Sequence, residues 1–355
     1  MRWEKQRVSG SGEPQLPLGV EDAPTRGTGR AGLAEPGPEP VAAGTEDALA
    51  IEVRARSIIN RVPGASQVPF RWTINPYRGC SHACRYCFAR NTHTYLDLDS
   101  GHDFDSKIVV KVNAPELVRR ELAHPKWAGE PIAMGTNTDP YQRAEGRYGL
   151  VRRIIEALRD RANPFSILTK GTLILRDIDL LEQAARSAAV SVAVSIGSID
   201  EQVWRDIEPG APSPLRRVDV VRRLSAAGLG CSVMMAPVLP GLSDGPQQLD
   251  ETVAALAEAG ATSITPLVLH LRPGAREWYH AWLSERRPDL LPLYERLYRN
   301  GAYAPKSYQE DIAARVREAQ LRYGPGERRP GAGTFRATGP RSEPAEREAD
   351  QLALL

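Results

Sequence analysis

The sequence has few cysteines and no long hydrophobic segment. Only four cysteines occur among 355 residues, fewer and less evenly spread than in an extracellular disulfide scaffold of this length. No apolar run approaches the ~18 residues that a membrane span needs. Residues 1–12 carry charges without the apolar segment of a secretory signal. These absences predict a cytoplasmic protein with no membrane partner.

An excess of one charge is also missing. The chain has 46 Lys and Arg against 44 Asp and Glu, a net charge of +2, which is too small to indicate a nucleic-acid partner by itself. Lysine is scarce, since only 6 of the 46 basic residues are lysines and 40 are arginines. Arginine suits phosphate and carboxylate groups. The chain is equally rich in Ala, Gly and Pro, however, so the arginine bias is also typical of genome composition.

Two terminal segments lack any periodic pattern. Residues 1–48 and 324–355 are rich in Gly, Pro, Glu and small residues, and they show neither the period of a strand nor that of a helix. Such segments cannot bury enough apolar surface to offset the entropy of ordering. We therefore predict disordered tails at residues 1–48 and 324–355.

Between these tails, short β-type runs alternate with helical patterns. The predicted strands are Trp72–Asn75, Lys107–Val112, Pro131–Met134, Phe165–Thr169, Val190–Ile196, Cys231–Ala236 and Ser263–His270. Alternation with helices of 10–15 residues implies βαβ units, and nearly continuous apolar runs are typical of buried parallel strands. We predict an α/β fold, with a partial (β/α)6 barrel over residues 49–275 and a helical C-terminal extension over residues 276–323.

Three of the four cysteines lie within eight residues. Cys80, Cys84 and Cys87 form a C-x3-C-x2-C motif in NPYRGCSHACRYCFAR, after the first predicted barrel strand. Thiolates suit zinc and iron–sulfur clusters, but structural zinc needs four ligands. His82 lies in a cramped loop, and Cys231 begins a strand, which would place it about 16 Å from the sheet edge that carries barrel active sites. Three thiolates therefore favour a [4Fe–4S] cluster.

A cluster held by three cysteines leaves one iron without a protein ligand. The amino and carboxylate groups of S-adenosylmethionine can chelate that iron, and one electron from the cluster can then break the sulfonium C–S bond to release a 5′-deoxyadenosyl radical. The protein would supply ligation, orientation and exclusion of water. Two alternatives stay open. One is a non-enzymatic iron–sulfur electron carrier or sensor, which normally uses four protein ligands, and the other is a structural zinc protein.

The cysteine motif, with the aromatic Tyr86 before its last cysteine, resembles the signature of the radical S-adenosylmethionine superfamily. The segments GTNTDPYQ, LTKGTLILRD, EPGAPSPLRRVDVVRRL and APVLPGLSD resemble the branch related to spore photoproduct lyase, a DNA repair enzyme, and within it an actinobacterial-type group. The resemblance covers roughly residues 70–275. It implies hydrogen abstraction from an unknown substrate, with nucleic acid as one candidate. It also implies an electron donor such as a flavodoxin or ferredoxin, and it leaves the catalytic residues unknown.

The resemblance also implies a role for the segment GTNTDPY. In the superfamily this strand end contacts the amino group of S-adenosylmethionine, and Thr136, Asn137, Thr138 and Asp139 supply the acceptors that an ammonium group requires. The alternative is a polar turn into the next helix. Spore photoproduct lyases place a hydrogen-donating cysteine in this stretch, whereas this chain has none there. That departure puts photoproduct repair in doubt but leaves the radical-generating machinery intact.

Three further residues are implicated by the same resemblance. Lys170 is expected to meet the carboxylate of S-adenosylmethionine, Ser195 its ribose or carboxylate, and Tyr86 its adenine, through the backbone and ring. The alternatives are a surface lysine for Lys170 and a hydrogen-bonded strand-end serine for Ser195. Asp200 is expected to cap a helix. The amphipathic pattern at Leu215–Ala226 predicts a solvated helix face that carries Arg216, Arg217, Arg222 and Arg223.

Overall fold

The computed structural model describes residues 48–63 and 68–324. The predicted disordered tails at 1–48 and 324–355 lie outside the described residues, apart from Ala48 and Gly324. Across the described ranges, no helix is both long enough and apolar enough to cross a lipid bilayer.

Within the described residues, ten strands form two sheets. In chain order they are β1 (Leu49–Val53), β2 (Ile59–Arg61), β3 (Trp72–Ile74), β4 (Tyr77–Arg78), β5 (Lys107–Lys111), β6 (Ile132–Met134), β7 (Phe165–Thr169), β8 (Val190–Ser195), β9 (Cys231–Val238) and β10 (Ser263–Val268). The main sheet has the order β10-β9-β8-β7-β6-β3-β2. Its strands are parallel except for β2, which pairs antiparallel with β3 at one edge.

The six parallel strands follow one another across the sheet in chain order. Each is joined to the next by a crossover without any reversal of direction, which is the winding of a partial (β/α)6 barrel. Among the described residues no ladder joins the edge strands β10 and β2, so the arc is open. The predicted fold class is confirmed.

One predicted strand, Lys107–Val112, lies outside the barrel. It forms β5, which pairs with β1 in parallel and β4 antiparallel as a separate small sheet. Ile108 and Val110 face the main core, while Val109 packs with Ile51 and Val53 in a second cluster. Because both faces of β5 are covered, its run is as apolar as that of a barrel strand.

Eleven α-helices are present in the described residues. They are α1 (His102–Ser106), α2 (Ala114–Leu122), α3 (Arg143–Tyr148), α4 (Leu150–Asp160), α5 (Ile178–Ala185), α6 (Glu201–Ile207), α7 (Pro214–Ala226), α8 (Pro246–Glu258), α9 (Ala275–Arg286), α10 (Leu291–Leu297) and α11 (Lys306–Tyr323). Short 3-10 helices lie at Phe88–Leu96, Thr172–Asp177 and Pro288–Leu290. The Gln320 side chain on α11 donates to the Ile264 carbonyl at 2.7 Å, which fixes the C-terminal helices to the last barrel strand.

Several helix ends and faces follow from the local sequence. On α4 the residues Leu150, Ile154, Ile155 and Leu158 share one helix face, and that face is fully buried. Asp200 caps α6 by accepting hydrogen bonds from the backbone N–H groups of Gln202 and Val203. Pro214 lies in the first turn of α7, but the Ser213 side chain before it makes no capping hydrogen bond.

Candidate active site

The three clustered cysteines lie in the loop that follows β3 and β4, at the carboxyl edge of the main sheet. Cys80 and Cys84 are buried and Cys87 is half-buried. Burial raises the pKa of all three thiols, and charge on Cys84 and Cys87 raises the pKa of Cys80 further because the groups lie close together. Three thiolates at this place therefore need a positive partner, which the irons of a cluster provide.

The cysteine loop supplies three thiols, one fewer than the four ligands of a structural zinc site. In residues 48–63 and 68–324, no three His, Cys, Asp or Glu side chains are arranged to hold one metal ion. Thiolates of a cubane cluster bind separate irons, so they surround a space instead of converging on a point. His82 is buried beside Asp139, with 3.5 Å between Nδ1 and Oδ2. Cys231 lies in the core at the start of β9, at the opposite sheet edge.

Arg90 holds the cysteine loop from inside the protein. Its side chain is fully buried, and its Nε and Nη2 groups donate to the Cys84 carbonyl at 3.2 and 2.9 Å. Nη2 also donates to the two carboxylate oxygens of Asp105 at 2.8 and 2.9 Å. This planar fork satisfies a backbone acceptor and a buried charge at once.

Two further contacts fix the first half of the loop. Gln142 accepts from the Ser81 backbone N–H at 3.0 Å and donates to the Gly79 carbonyl at 2.9 Å. Gly210, between α6 and α7, donates its N–H to the His82 carbonyl at 3.1 Å. A Cβ atom at Gly210 would lie 2.0 Å from the Ser81 carbonyl oxygen, so the two loops require glycine where they meet.

A buried charge network lies beside the cysteines and joins three of the predicted site residues. Its centre is the Glu208 carboxylate, which accepts hydrogen bonds from the Tyr86 hydroxyl, from Lys170 Nζ at 2.9 Å and from Arg217 Nη2 at 2.6 Å. Lys170 Nζ also donates to Ser195 Oγ at 2.8 Å. The structure thus brings together Tyr86, Lys170 and Ser195, although they come from separate strand ends.

Glu208 stays ionised in this network. Burial by itself raises the pKa of its carboxyl group, but the charges of Arg217 and Lys170 and the hydrogen bonds from Tyr86 and Lys170 outweigh burial and lower the pKa to about 2. The Arg217 guanidinium also donates to the Ser195 carbonyl at 3.0 Å. Glu208 therefore fixes two cations and one tyrosine beside the cysteine loop.

Arg217 contradicts the predicted solvated helix face. Its side chain is 1% exposed, because it lies four residues before Val221 and seven before Leu224, on the buried face of α7. That spacing is visible in the sequence and identifies Arg217 as a buried charge. Leu215, the first apolar residue of the Leu215–Ala226 pattern, is 55% exposed, and Arg222 is exposed as predicted.

The segment after β6 presents its polar groups in two ways. Thr136 and Asn137 are half-buried, and within the described part of the chain their side chains have no hydrogen-bond partner. Thr138 is buried, and its hydroxyl donates to the Tyr77 carbonyl at 2.9 Å. Of these three side chains, those of Thr136 and Asn137 are therefore available to a ligand.

Asp139 links this segment to the next strand end. Its Oδ1 accepts from the Tyr141 N–H at 2.9 Å and from Thr169 Oγ1 at 2.6 Å, and its Oδ2 accepts from the Lys170 N–H at 2.6 Å. The carboxylate therefore aligns the ends of β6 and β7, so that Lys170 leaves the sheet in a fixed direction.

The profile of the Radical SAM superfamily matches residues 74–256. An uncharacterised protein of Mycobacterium tuberculosis is 48% identical over 324 residues, which is 91% of this chain and 93% of that protein. A radical SAM Nalpha-GlyT isomerase of Pseudomonas phage M6 is 27% identical over 184 residues, 51% of this chain and 36% of the isomerase.

Spore photoproduct lyase is similar in structure. A mutant of that enzyme with bound AdoMet and dinucleoside spore photoproduct superimposes with a TM-score of 0.60 at 16% identity, over 78% of this chain and 80% of the lyase. This likeness shows the shared fold. Since the matched residues 74–256 include both the cysteine loop and the Glu208 network, the chain belongs to the radical SAM superfamily.

Proposed function

We propose that Cys80, Cys84 and Cys87 hold the [4Fe–4S] cluster of this radical SAM enzyme, and that it cleaves S-adenosylmethionine reductively for hydrogen abstraction from a nucleic acid. The observation that carries the proposal is a loop of three clustered thiols, two buried and one half-buried, beside the Glu208 network. When bound and reduced, the cluster would supply one electron for cleavage of the sulfonium C–S bond of S-adenosylmethionine, and the 5′-deoxyadenosyl group released would take the hydrogen atom. A flavodoxin or ferredoxin is the expected electron donor.

Lys170 and Ser195 would bind the carboxylate of S-adenosylmethionine. The Lys170 ammonium bonds to Ser195 and Glu208, with the Ala236 carbonyl at 3.5 Å. An ammonium group has three donors, so a carboxylate would replace the distant carbonyl or share the Ser195 position. Glu208 stays neutralised during this exchange because Arg217 holds its other oxygen.

The amino group and the adenine of the cofactor would meet the segment after β6 and the cysteine loop. Thr136 and Asn137 offer free acceptors for the amino group. The Tyr86 hydroxyl is fixed by Glu208, which orients the backbone of Tyr86 for contact with the adenine. Thr138 and Asp139 support this arrangement through their bonds within the protein.

The nucleic-acid substrate is supported by the fold shared with spore photoproduct lyase, whose structure holds a dinucleoside spore photoproduct. The segment after β6 has Asn137 and its neighbours where that lyase family carries a hydrogen-donating cysteine. We therefore expect a reaction other than photoproduct repair. An electron carrier is not favoured, because the remaining cysteine, Cys231, lies in the core at the far sheet edge.

The proposal is tested by assaying 5′-deoxyadenosine from S-adenosylmethionine. Protein is purified without oxygen, reconstituted with iron and sulfide, and reduced with dithionite. We expect about four irons per chain and product from the wild type and from Cys231→Ala, the matched thiol control. Cys84→Ala should lose both iron and product. Equal product from Cys84→Ala, or bound zinc without a cluster in the wild type, would show that the proposal is wrong.

A further inference from the structure

An exposed group of aromatic and cationic side chains lies beside the cysteine loop, and we call it the ring platform. Its members are Phe88, His270, Arg272 and Tyr303. Phe88 directly follows Cys87. His270 and Arg272 follow the carboxyl end of β10, and Tyr303 lies in the loop before α11. The ring platform therefore lies at the same sheet edge as the cysteines.

The side chains of the ring platform form one continuous row. The ring centroids of Phe88 and His270 are 5.7 Å apart, and those of His270 and Tyr303 are 5.6 Å apart with an interplanar angle of 28°. The Arg272 guanidinium lies 5.9 Å from the Phe88 ring centroid and donates to the Tyr303 hydroxyl at 3.1 Å. These distances are typical of stacked and cation–π contacts.

Exposure separates the ring platform from the aromatic core of the C-terminal helices. The stacked rings of Tyr279, Tyr294 and Tyr298 are at most 3% exposed and fill that core. Phe88 is 40% exposed and Tyr303 is 55% exposed. Packing inside the protein explains the three buried tyrosines, but the outer faces of Phe88 and Tyr303 stay in contact with water. Clustered exposed rings mark a binding surface.

Backbone pairing fixes the position of the ring platform, and Arg272 gives it a positive charge. His270 and Tyr303 pair through a β-bridge, and the Leu271 N–H donates to the Ala302 carbonyl at 2.7 Å, so the rings are held on a fixed frame. Burial, and then the charge of Arg272, lower the pKa of His270, which leaves a neutral ring. Arg272 is therefore the cation of the group.

Flat neutral rings next to one guanidinium match a nucleobase next to its phosphate. Nucleic-acid strands stack their bases on aromatic side chains and pair their phosphates with arginine. A base inside a duplex shows only its edges, whereas an unpaired base can present a face. A peptide that adds a strand is bound mainly by backbone hydrogen bonds along a sheet edge, whereas the ring platform presents side-chain rings and a guanidinium.

We propose that the ring platform stacks an unpaired base of the substrate strand, with Arg272 on a neighbouring phosphate. The nucleic-acid strand would then be held next to Cys87 while the reacting nucleotide enters the site beside the cysteine loop. This inference rests on the nucleic-acid substrate proposed above, and it adds the residues that bind the strand outside the reacting centre.

The test compares reconstituted holoenzyme variants in fluorescence anisotropy with a labelled single-stranded oligothymidylate. Tyr303→Leu keeps apolar volume but removes the ring, and we expect roughly 5- to 150-fold weaker binding, the range for one stacked base. Tyr303→Phe keeps the ring and should bind within about twofold of the wild type. Tyr323→Leu is the matched control, because Tyr323 is 46% exposed but ends α11 near the start of β10, at the opposite sheet edge.

Several results would overturn the inference. They are wild-type affinity in Tyr303→Leu, equal losses in Tyr303→Leu and Tyr323→Leu, and equal binding of a blunt duplex and the single strand by the wild type. Formation of 5′-deoxyadenosine without nucleic acid is measured on the same wild-type preparation. If that product forms while Tyr303→Leu binds normally, the ring platform fails alone. If no product forms from the wild type, the proposed radical chemistry fails instead.

Discussion

Replacing Glu208 by glutamine should destabilise the protein by about 3 kcal/mol at pH 7. The carboxylate holds the buried Arg217 and the partly buried Lys170, and removal of one partner from a buried ion pair costs about 3–5 kcal/mol. The pKa of Glu208 gives the same size independently. It falls from 4.5 to about 2, and each unit corresponds to about 1.4 kcal/mol, so the ionised form contributes about 3 kcal/mol.

The pH dependence of this difference has a definite sign. Because the folded protein lowers the pKa of Glu208, the stabilisation is fully present above about pH 4.5 and is lost as the pH falls towards 2. Glutamine resembles the protonated form, so the gap between wild type and Glu208→Gln should shrink over that window. Above pH 5 the gap should be constant.

Urea unfolding of the cluster-free protein in reductant, followed by circular dichroism from pH 7 to pH 3, measures this gap. Glu201→Gln is the control, because Glu201 is exposed and pairs with Arg205 on the same helix. Such surface pairs contribute less than about 1 kcal/mol. A loss in Glu208→Gln no larger than in this control, or a gap that does not change between pH 5 and pH 3, would refute the reasoning.

Two other substitutions follow from the same structure. Arg217→Leu leaves Glu208 with one fewer partner and should lower the free energy of unfolding by at least about 3 kcal/mol. Arg222→Leu, on the exposed face of the same helix, should change it by less than about 0.5 kcal/mol. Equal effects of the two substitutions in urea titrations would contradict the buried pairing. Gly135→Ala should lower the free energy of unfolding by at least about 2 kcal/mol. The reason is that Gly135 has a φ of +82° and an added Cβ would lie 1.8 Å from the Leu168 carbonyl oxygen. An unchanged melting temperature would argue against this close approach.

The sequence predicts the strands well because their apolar runs report burial directly. Phe165–Thr169 is predicted to the residue, and β10 ends two residues before the predicted end. Periodicity does not report which strands pair, however, so Lys107–Val112 could not be assigned to the small sheet. Its partners, β1 and β4, are each short and come from elsewhere in the chain.

The candidate site could be predicted where its residues are close together in the sequence. It could not be predicted where side chains pair from distant positions in the chain. Three cysteines in one loop identify themselves by spacing. The role of Glu208 depends on its ion pairs with Lys170, 38 positions earlier in the chain, and with Arg217 on the next helix. A single carboxylate after a short helix is typical of a surface charge, so no sequence pattern singled it out.

The contacts that shape the cysteine loop come late in the chain. Arg90 follows the loop closely, but Gln142 lies 55 positions after Cys87. Gly210 reaches the loop only after four barrel strands have been made, and Glu208 needs Arg217 to stay charged in the interior. During synthesis, the thiols therefore emerge from the ribosome well before their final surroundings exist. Iron and sulfide should accordingly be inserted after translation, into a loop whose shape the folded chain has already set.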